Sequence, residues 1–140
     1  MSDRILIDTS AWIVSFKKAG NNSLKQKVLE VLASLSAVTA PVIVLELLHG
    51  CRDKKEYEAM KSRMEALEML PVNEAVWEIA YPTGYDLRRK GITVPTIDIL
   101  ILSIAKVRNC TVLHHDKHFR PVAKYLGVTA LDYIDEKAIS

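Results

Sequence analysis

Short aliphatic runs of strand length alternate in this chain with longer stretches whose apolar residues recur at helical spacing. That alternation confines the fold to parallel strands joined by helical crossovers. Residues 5–7, ILI, form the first aliphatic run. Ser23 and Gln26 make an S-x-x-Q capping box ahead of Val28, Val31, Leu32 and Leu35, which predicts a helix. Residues 37–39 predict a second strand, and Pro41 suits the first turn of a helix that Gly50 can end. Tyr57, Met60, Met64 and Leu67 repeat at helical spacing, residues 69–72 read as strand, and Asn73 can cap a helix running to Arg89. Within that helix Pro82 has no N–H to donate and Gly84 is a weak helix former, so a kink or break is expected. Thr96 can cap a further helix with Ile97, Leu100, Ile101, Ile104 and Ala105 on its apolar stripe. A strand from Thr111, a short helix near residues 121–125 and a last strand near residues 128–131 complete the pattern. The expectation is one α/β domain over residues 1–140: a three-layer α/β/α sandwich with a central, mainly parallel sheet.

Composition supports a single unit. With 140 residues, 49% of them hydrophobic, the chain can bury one sizeable core, and no Pro/Gly/Ser-rich stretch marks a linker. A formal charge of +2 neither announces nor opposes a nucleic-acid partner. Cys51 and Cys110 stand far apart without a C-x-x-C pair, nothing before Arg4 resembles a signal peptide, and charges interrupt every long apolar run. Two buried free thiols, a reducing cytoplasm and no membrane span are therefore expected. The five scattered glycines provide no G-x-G-x-x-G turn, which excludes the usual dinucleotide-binding unit.

Four carboxylates stand out against this apolar background. Asp8 ends the first aliphatic run, and Glu46 is the only acidic residue in PVIVLELLHG. Asp98 is the only charge in PTIDILILSIA, and Asp116 follows Val112 and Leu113 at the end of a predicted strand. An isolated carboxylate at such a place is often a cap or turn residue, but four coincidences are harder to explain that way. Burial of an ionised carboxylate demands compensation. The segments around Asp8, Glu46 and Asp98 offer only Arg4, at the start of its strand. In open α/β sheets the carboxyl ends of the strands form the ligand crevice, where Asp8 and Asp116 should lie. If Asp98 and Glu46 join them, the fitting neutraliser is a hard, oxygen-preferring divalent cation, Mg2+ or Mn2+.

The segments IDTSAWI, VIVLELLHG, LRRKGITVPTIDILILSIA and TVLHHDKHF, in that order and spacing, resemble the PIN-domain ribonucleases, particularly the toxin subunits of bacterial and archaeal VapBC toxin–antitoxin pairs. The resemblance implies a metal-dependent endoribonuclease in which Asp8, Glu46, Asp98 and Asp116 are the acidic quartet and Ser10 supports the first acid. It implies that one or two Mg2+ or Mn2+ ions activate a water for in-line attack on an RNA phosphodiester, with no histidine base required. Asp8, Asp98 and Asp116 would then be direct or water-mediated ligands, while Glu46 orients the water or holds a second ion. Arg52 and Lys117, next to the motifs, are candidate contacts to RNA phosphates, against the plainer reading that both are solvated surface charges. The resemblance also implies a homodimer and a cognate antitoxin. The chain departs from many relatives at His114, where a Thr or Ser is common.

Two further readings stand beside this one. His114, His115 and His118 lack the closed ligand set of a structural zinc site and are expected to be surface histidines. A receiver-like or inactive PIN-fold module, binding Mg2+ or RNA without cutting, is the alternative to an enzyme. A haloacid-dehalogenase-type phosphatase would carry a second Asp where this chain has Ser10.

Overall fold

The computed structural model describes residues 4–135, so the outermost residues of the single expected domain, 1–3 and 136–140, lie outside the described residues. In chain order the elements are β1 (Ile5–Ile7), α1 (Thr9–Phe16), α2 (Asn22–Ala33), β2 (Ala37–Thr39), α3 (Pro41–His49) and α4 (Lys54–Glu65). They continue with β3 (Glu68–Met69), α5 (Glu74–Arg89), α6 (Thr96–Arg108), β4 (Thr111–Leu113), α7 (Phe119–Leu126) and β5 (Ala130–Leu131). The strands form one sheet in the order β3-β2-β1-β4-β5, and every pairing is parallel. Helices α1 to α4 pack among themselves, as do α5 to α7, and the two groups flank the sheet. This is the α/β/α sandwich expected.

The three central strands, β1, β2 and β4, are covered on both faces, which explains why they read as continuous apolar runs rather than alternating ones, while edge strand β3 is exposed. Leu6, Ile7, Val38, Val112 and Leu113 are essentially inaccessible, and Trp12, Leu24, Ile43, Met64, Leu102 and Phe119 pack around them. From β1 the chain builds outward through β2 to β3, then crosses back through α5 and α6 to lay β4 on the other side of β1. The strand order therefore reverses between β1 and β4, where Ile7 pairs with Leu113. After β1 the chain enters α1 in one helix group and after β4 it enters α7 in the other, the kind of switch point beside which open α/β sheets bind ligands.

Several local expectations are corrected. Helix α1 follows β1 immediately, with Asp8 as its N-cap, where the sequence reading had no helix. The cap of α2 is Asn21, whose side chain accepts the Leu24 N–H at 2.9 Å, so Ser23 lies inside the first turn. Asn21 caps as well as Ser does, and its amide also donates to the Tyr133 carbonyl, which ties α2 to the last described segment. Helix α6 starts after Pro95 without a side-chain cap, so Thr96 is its first residue rather than its cap. Helix α5 runs unbroken through Pro82 and Gly84. Thr83 Oγ1 donates to the Ile79 carbonyl at 2.7 Å in the turn that Pro82 weakens, and Gly84 lets α6 come close: a β-carbon there would sit 3.5 Å from Ile99 Cδ1. Of the two thiols, Cys110 is buried but Cys51 is only half-buried, with Sγ 3.4 Å from the Leu47 carbonyl.

Leu35 does not continue the stripe of α2. It is 92% exposed at φ 58°, just past the helix end, where the Ser36 N–H reaches the Val31 carbonyl and the Leu35 N–H reaches the Leu32 carbonyl. This is a Schellman closure with leucine at the left-handed position that glycine normally fills. Leu35→Gly is expected to stabilise the protein by about 1 kcal/mol, because the left-handed strain of an L-residue exceeds the extra chain entropy of glycine. A urea midpoint lower than that of the parent would contradict this.

Candidate metal and active site

Asp8 leaves β1 with its backbone still in the sheet, its N–H donating to the Leu113 carbonyl at 2.9 Å. Its side chain turns back as the cap of α1: Oδ2 accepts the Ser10 N–H at 2.9 Å and the Ser10 hydroxyl at 2.5 Å. Ser10 Oγ in turn accepts the His115 N–H at 2.9 Å, so one hydroxyl joins the loop after β1 to the loop after β4. Asp8 is thus both a cap residue and a buried acid, only 4% exposed. Burial pushes its pKa up to about 6, the Glu46 carboxylate adds to the rise, and the Ser10 bonds oppose it. Glu46 lies on α3, where Thr9 Oγ1 donates to its Oε1 at 2.7 Å and fastens α1 to α3.

Asp98 lies in the first turn of α6 and is 7% exposed. Its Oδ2 is buried without any hydrogen-bond partner. Burial lifts its pKa to about 7, the carboxylates of Asp116, Asp8 and Glu46 push in the same direction, and His118 opposes them. Asp116 follows β4. Its N–H donates to His114 Nδ1 at 3.2 Å, and its Oδ1 takes the His118 N–H and contacts His118 Nδ1, both at 2.9 Å. Ligand-capable atoms of Asp98, Asp116 and His118 all lie within 4.8 Å of one another.

The Glu46 carboxylate raises the proton affinity of Asp8, and those of Asp116, Asp8 and Glu46 raise that of Asp98, so the four carboxylates sense one another at the β1/β4 reversal. Among the described residues none of them is paired with a Lys or Arg; the nearest basic group is the His118 ring, with Nδ1 2.9 Å from Asp116 Oδ1. Arg4, at the opposite end of β1, holds Glu68 at 2.7 Å, and Arg120 holds Asp132 and Asp135. A buried oxygen with no partner, amid uncompensated carboxylates, is a donor set suited to a hard divalent cation. Among the described residues Asp98 and Asp116, with His118, form the one group whose ligand-capable atoms lie close enough together to share an ion, while Asp8 and Glu46 lie outside that group and act on Asp98 electrostatically.

Other sequence candidates fare differently. Arg52 lies at the surface, its Nε 3.2 Å from Glu56 Oε2, and Lys117 is exposed one residue from Asp116. The expectation of surface histidines fails for His114, which is fully buried, stacked on Phe119 with ring centroids 4.8 Å apart, and 3.5 Å from Asp132 through Nε2. Burial lowers its pKa, which keeps the ring neutral and its Nδ1 lone pair available to the Asp116 N–H. It thus fixes the backbone of the fourth acid. His118 is exposed but turned toward the acids, a placement that its spacing two residues after Asp116 could have signalled.

Ser10→Ala would remove the hydroxyl that Asp8 and the His115 N–H share. The expected outcome is Mn2+ binding about 10–100-fold weaker, read by calorimetric titration of the folded variant. A change of less than twofold would show that Ser10 does not position Asp8.

The PIN domain family model matches residues 5–125 of the chain. Ribonuclease VapC11 of Mycobacterium tuberculosis is 29% identical over 133 residues, which cover 92% of this chain and 98% of that protein. Ribonuclease VapC18 of the same organism is 23% identical over 129 residues, covering 86% and 88%. Among solved structures, VapBC2 from Rickettsia felis, bound to a DNA fragment from its promoter, superposes with a TM-score of 0.75 at 16% identity, covering 92% of this chain and 98% of that one. A FitAB complex with an IR36 DNA fragment gives a TM-score of 0.75 at 20% identity, covering 91% and 94%.

Proposed function

Since the chain belongs to the PIN domain family, we propose that it is a metal-dependent endoribonuclease and the toxin of a type II toxin–antitoxin pair. The observation that carries this reading is the buried, unpartnered Asp98 oxygen within a cluster of four carboxylates that no Lys or Arg neutralises among the described residues. The ribonuclease names of the curated relatives support the activity, and the toxin–antitoxin complexes among the structural neighbours support the partner.

Asp8, Asp98 and Asp116 would hold the cation, Mg2+ or Mn2+. When bound, it offsets their charge, acidifies a water toward neutral pH and stabilises negative charge on the phosphodiester oxygens. Glu46, oriented by Thr9 Oγ1, positions the attacking water or shares a second ion. Ser10 holds Asp8, and His114 holds the backbone of Asp116. Lys117, at the lip of the site, contacts an RNA phosphate, and Arg52 does so at the price of its pair with Glu56. No helix among the described residues is long and apolar enough to cross a membrane. The protein works in the cytoplasm as a homodimer, and an antitoxin segment covers the crevice when the pair is assembled.

The test is digestion of total RNA by the purified protein with Mn2+, with Mg2+ and with chelator, and cleavage sites mapped. Cleavage that requires the cation and disappears in Asp8→Asn supports the reading. Cleavage that persists in chelator refutes the metal role, and a folded protein that binds Mg2+ but leaves every RNA intact would instead favour a cation-binding module without nuclease activity.

A further inference from the structure

We propose that His118 is itself a ligand of the cation beside Asp98 and Asp116, which makes a mixed nitrogen–oxygen site that selects Mn2+ over Mg2+. This rests on the reading that the acidic cluster holds a divalent cation. It goes beyond that reading by assigning a ligand outside the four carboxylates and a choice of metal.

The geometry favours a ligand role over that of a surface histidine. Two ligands side by side on an octahedral ion, each about 2.1 Å from it, are about 3.0 Å apart, and two on opposite sides are about 4.2 Å apart. His118 Nδ1 and Asp116 Oδ1 are 2.9 Å apart, and the ligand-capable atoms of Asp98, Asp116 and His118 all fall within 4.8 Å. Each of the three residues thus offers one atom to a group compact enough for a single ion to draw together. Asp98 provides an independent indication, since the residue is 7% exposed and its buried Oδ2 has no hydrogen-bond partner. The His118 backbone N–H also donates to the Asp116 carboxylate at 2.9 Å, so the backbone from which the ring extends is anchored beside the acids.

An imidazole in the ligand set changes which cation fits. Mg2+ is bound through oxygen and water, whereas imidazole nitrogen suits later first-row metals, and Mn2+ accepts both donor types at octahedral geometry. With only carboxylates the site would discriminate weakly between the two. The nitrogen gives Mn2+ a contact that Mg2+ exploits poorly.

Pulsed electron paramagnetic resonance of the full chain loaded with Mn2+ alone, without RNA, reads a bound imidazole directly. Nitrogen modulation is expected in the parent protein and in His115→Ala, and its loss in His118→Ala. Calorimetric titration with each cation should show the ratio of Mn2+ to Mg2+ affinities falling about tenfold in His118→Asp, which restores an oxygen donor and still binds both. The side chain is 57% exposed, so neither substitution threatens the fold. Mn2+ bound without nitrogen modulation, modulation that survives in His118→Ala, or an unchanged affinity ratio in His118→Asp would overturn the proposal while leaving the carboxylate site standing. Failure of the parent protein to bind Mn2+ at all would overturn both.

Discussion

Asp98→Asn is expected to lower RNA cleavage by about a thousandfold or more while making the metal-free protein harder to unfold. The two effects have one cause. A buried carboxylate without a hydrogen-bond partner for Oδ2, pressed by Asp116, Asp8 and Glu46, is costly to ionise, and its pKa is lifted to about 7. The amide keeps the shape and removes the charge, which relieves that cost by on the order of 2 kcal/mol at pH 8. It also removes the charge that draws the cation into the crevice. A site strained for its function should behave in this way. Denaturant midpoints at pH 8 in chelator, alongside cleavage rates in Mn2+, check both halves. A variant that is inactive and also less stable would mean that Asp98 is a structural residue, and one that still cuts RNA would remove it from the site.

The second large effect is an inverted dependence of stability on pH, which the cation reverses. Asp8 and Asp98 have folded-state pKa values of about 6 and about 7, above the ordinary value of 3.8 for the unfolded chain. Between about pH 4 and 7 the folded protein therefore binds more protons than the unfolded one, and stability falls as pH rises through that window. Buried His114 has the opposite sign. Its lowered folded pKa costs stability as pH falls below its ordinary value of 6.5, so the carboxylate effect is cleanest between pH 6.5 and 8, where Asp98 still titrates. Metal-free protein should lose on the order of 1 kcal/mol across that interval, and Asp98→Asn should lose much less. Saturating Mn2+ binds only the ionised site, so its stabilisation should be greatest at pH 8, about 2.7 kcal/mol at a hundredfold excess over Kd. Thermal unfolding with and without Mn2+ across this range gives the comparison. A metal-free protein that gains stability toward pH 8 would contradict the burial assigned to Asp98.

Much of this was legible before any coordinates. Strands covered on both faces read as unbroken aliphatic runs, so ILI, AVT and TVL identified themselves, and the helices between them required parallel pairing. The acids were legible for a related reason: in segments as apolar as those around Glu46 and Asp98, a single charge has no ordinary place. What was missed depends on geometry that linear spacing does not carry. Helix α1 was hidden because Asp8 was read only as the end of a strand, whereas the same carboxylate caps the next helix through Ser10. Leu35 matched the stripe of α2 by spacing but lies beyond a helix end closed by Ser36, against the usual preference for glycine. His114 and His118 looked alike in HHDKH, yet the strand-to-loop path buries one under Phe119 and leaves the other exposed at the mouth of the acidic crevice.

The central claim is that carboxylates from the end of β1, from α3, from α6 and from the loop after β4 meet in one hollow because a divalent cation belongs there. Anomalous diffraction from a crystal of the full chain soaked in Mn2+ tests it most directly. The account predicts one strong peak within about 2.5 Å of oxygens of both Asp98 and Asp116. No peak in the crevice at saturating Mn2+, or an Asp98 carboxylate satisfied there by a guanidinium or ammonium group, would contradict it.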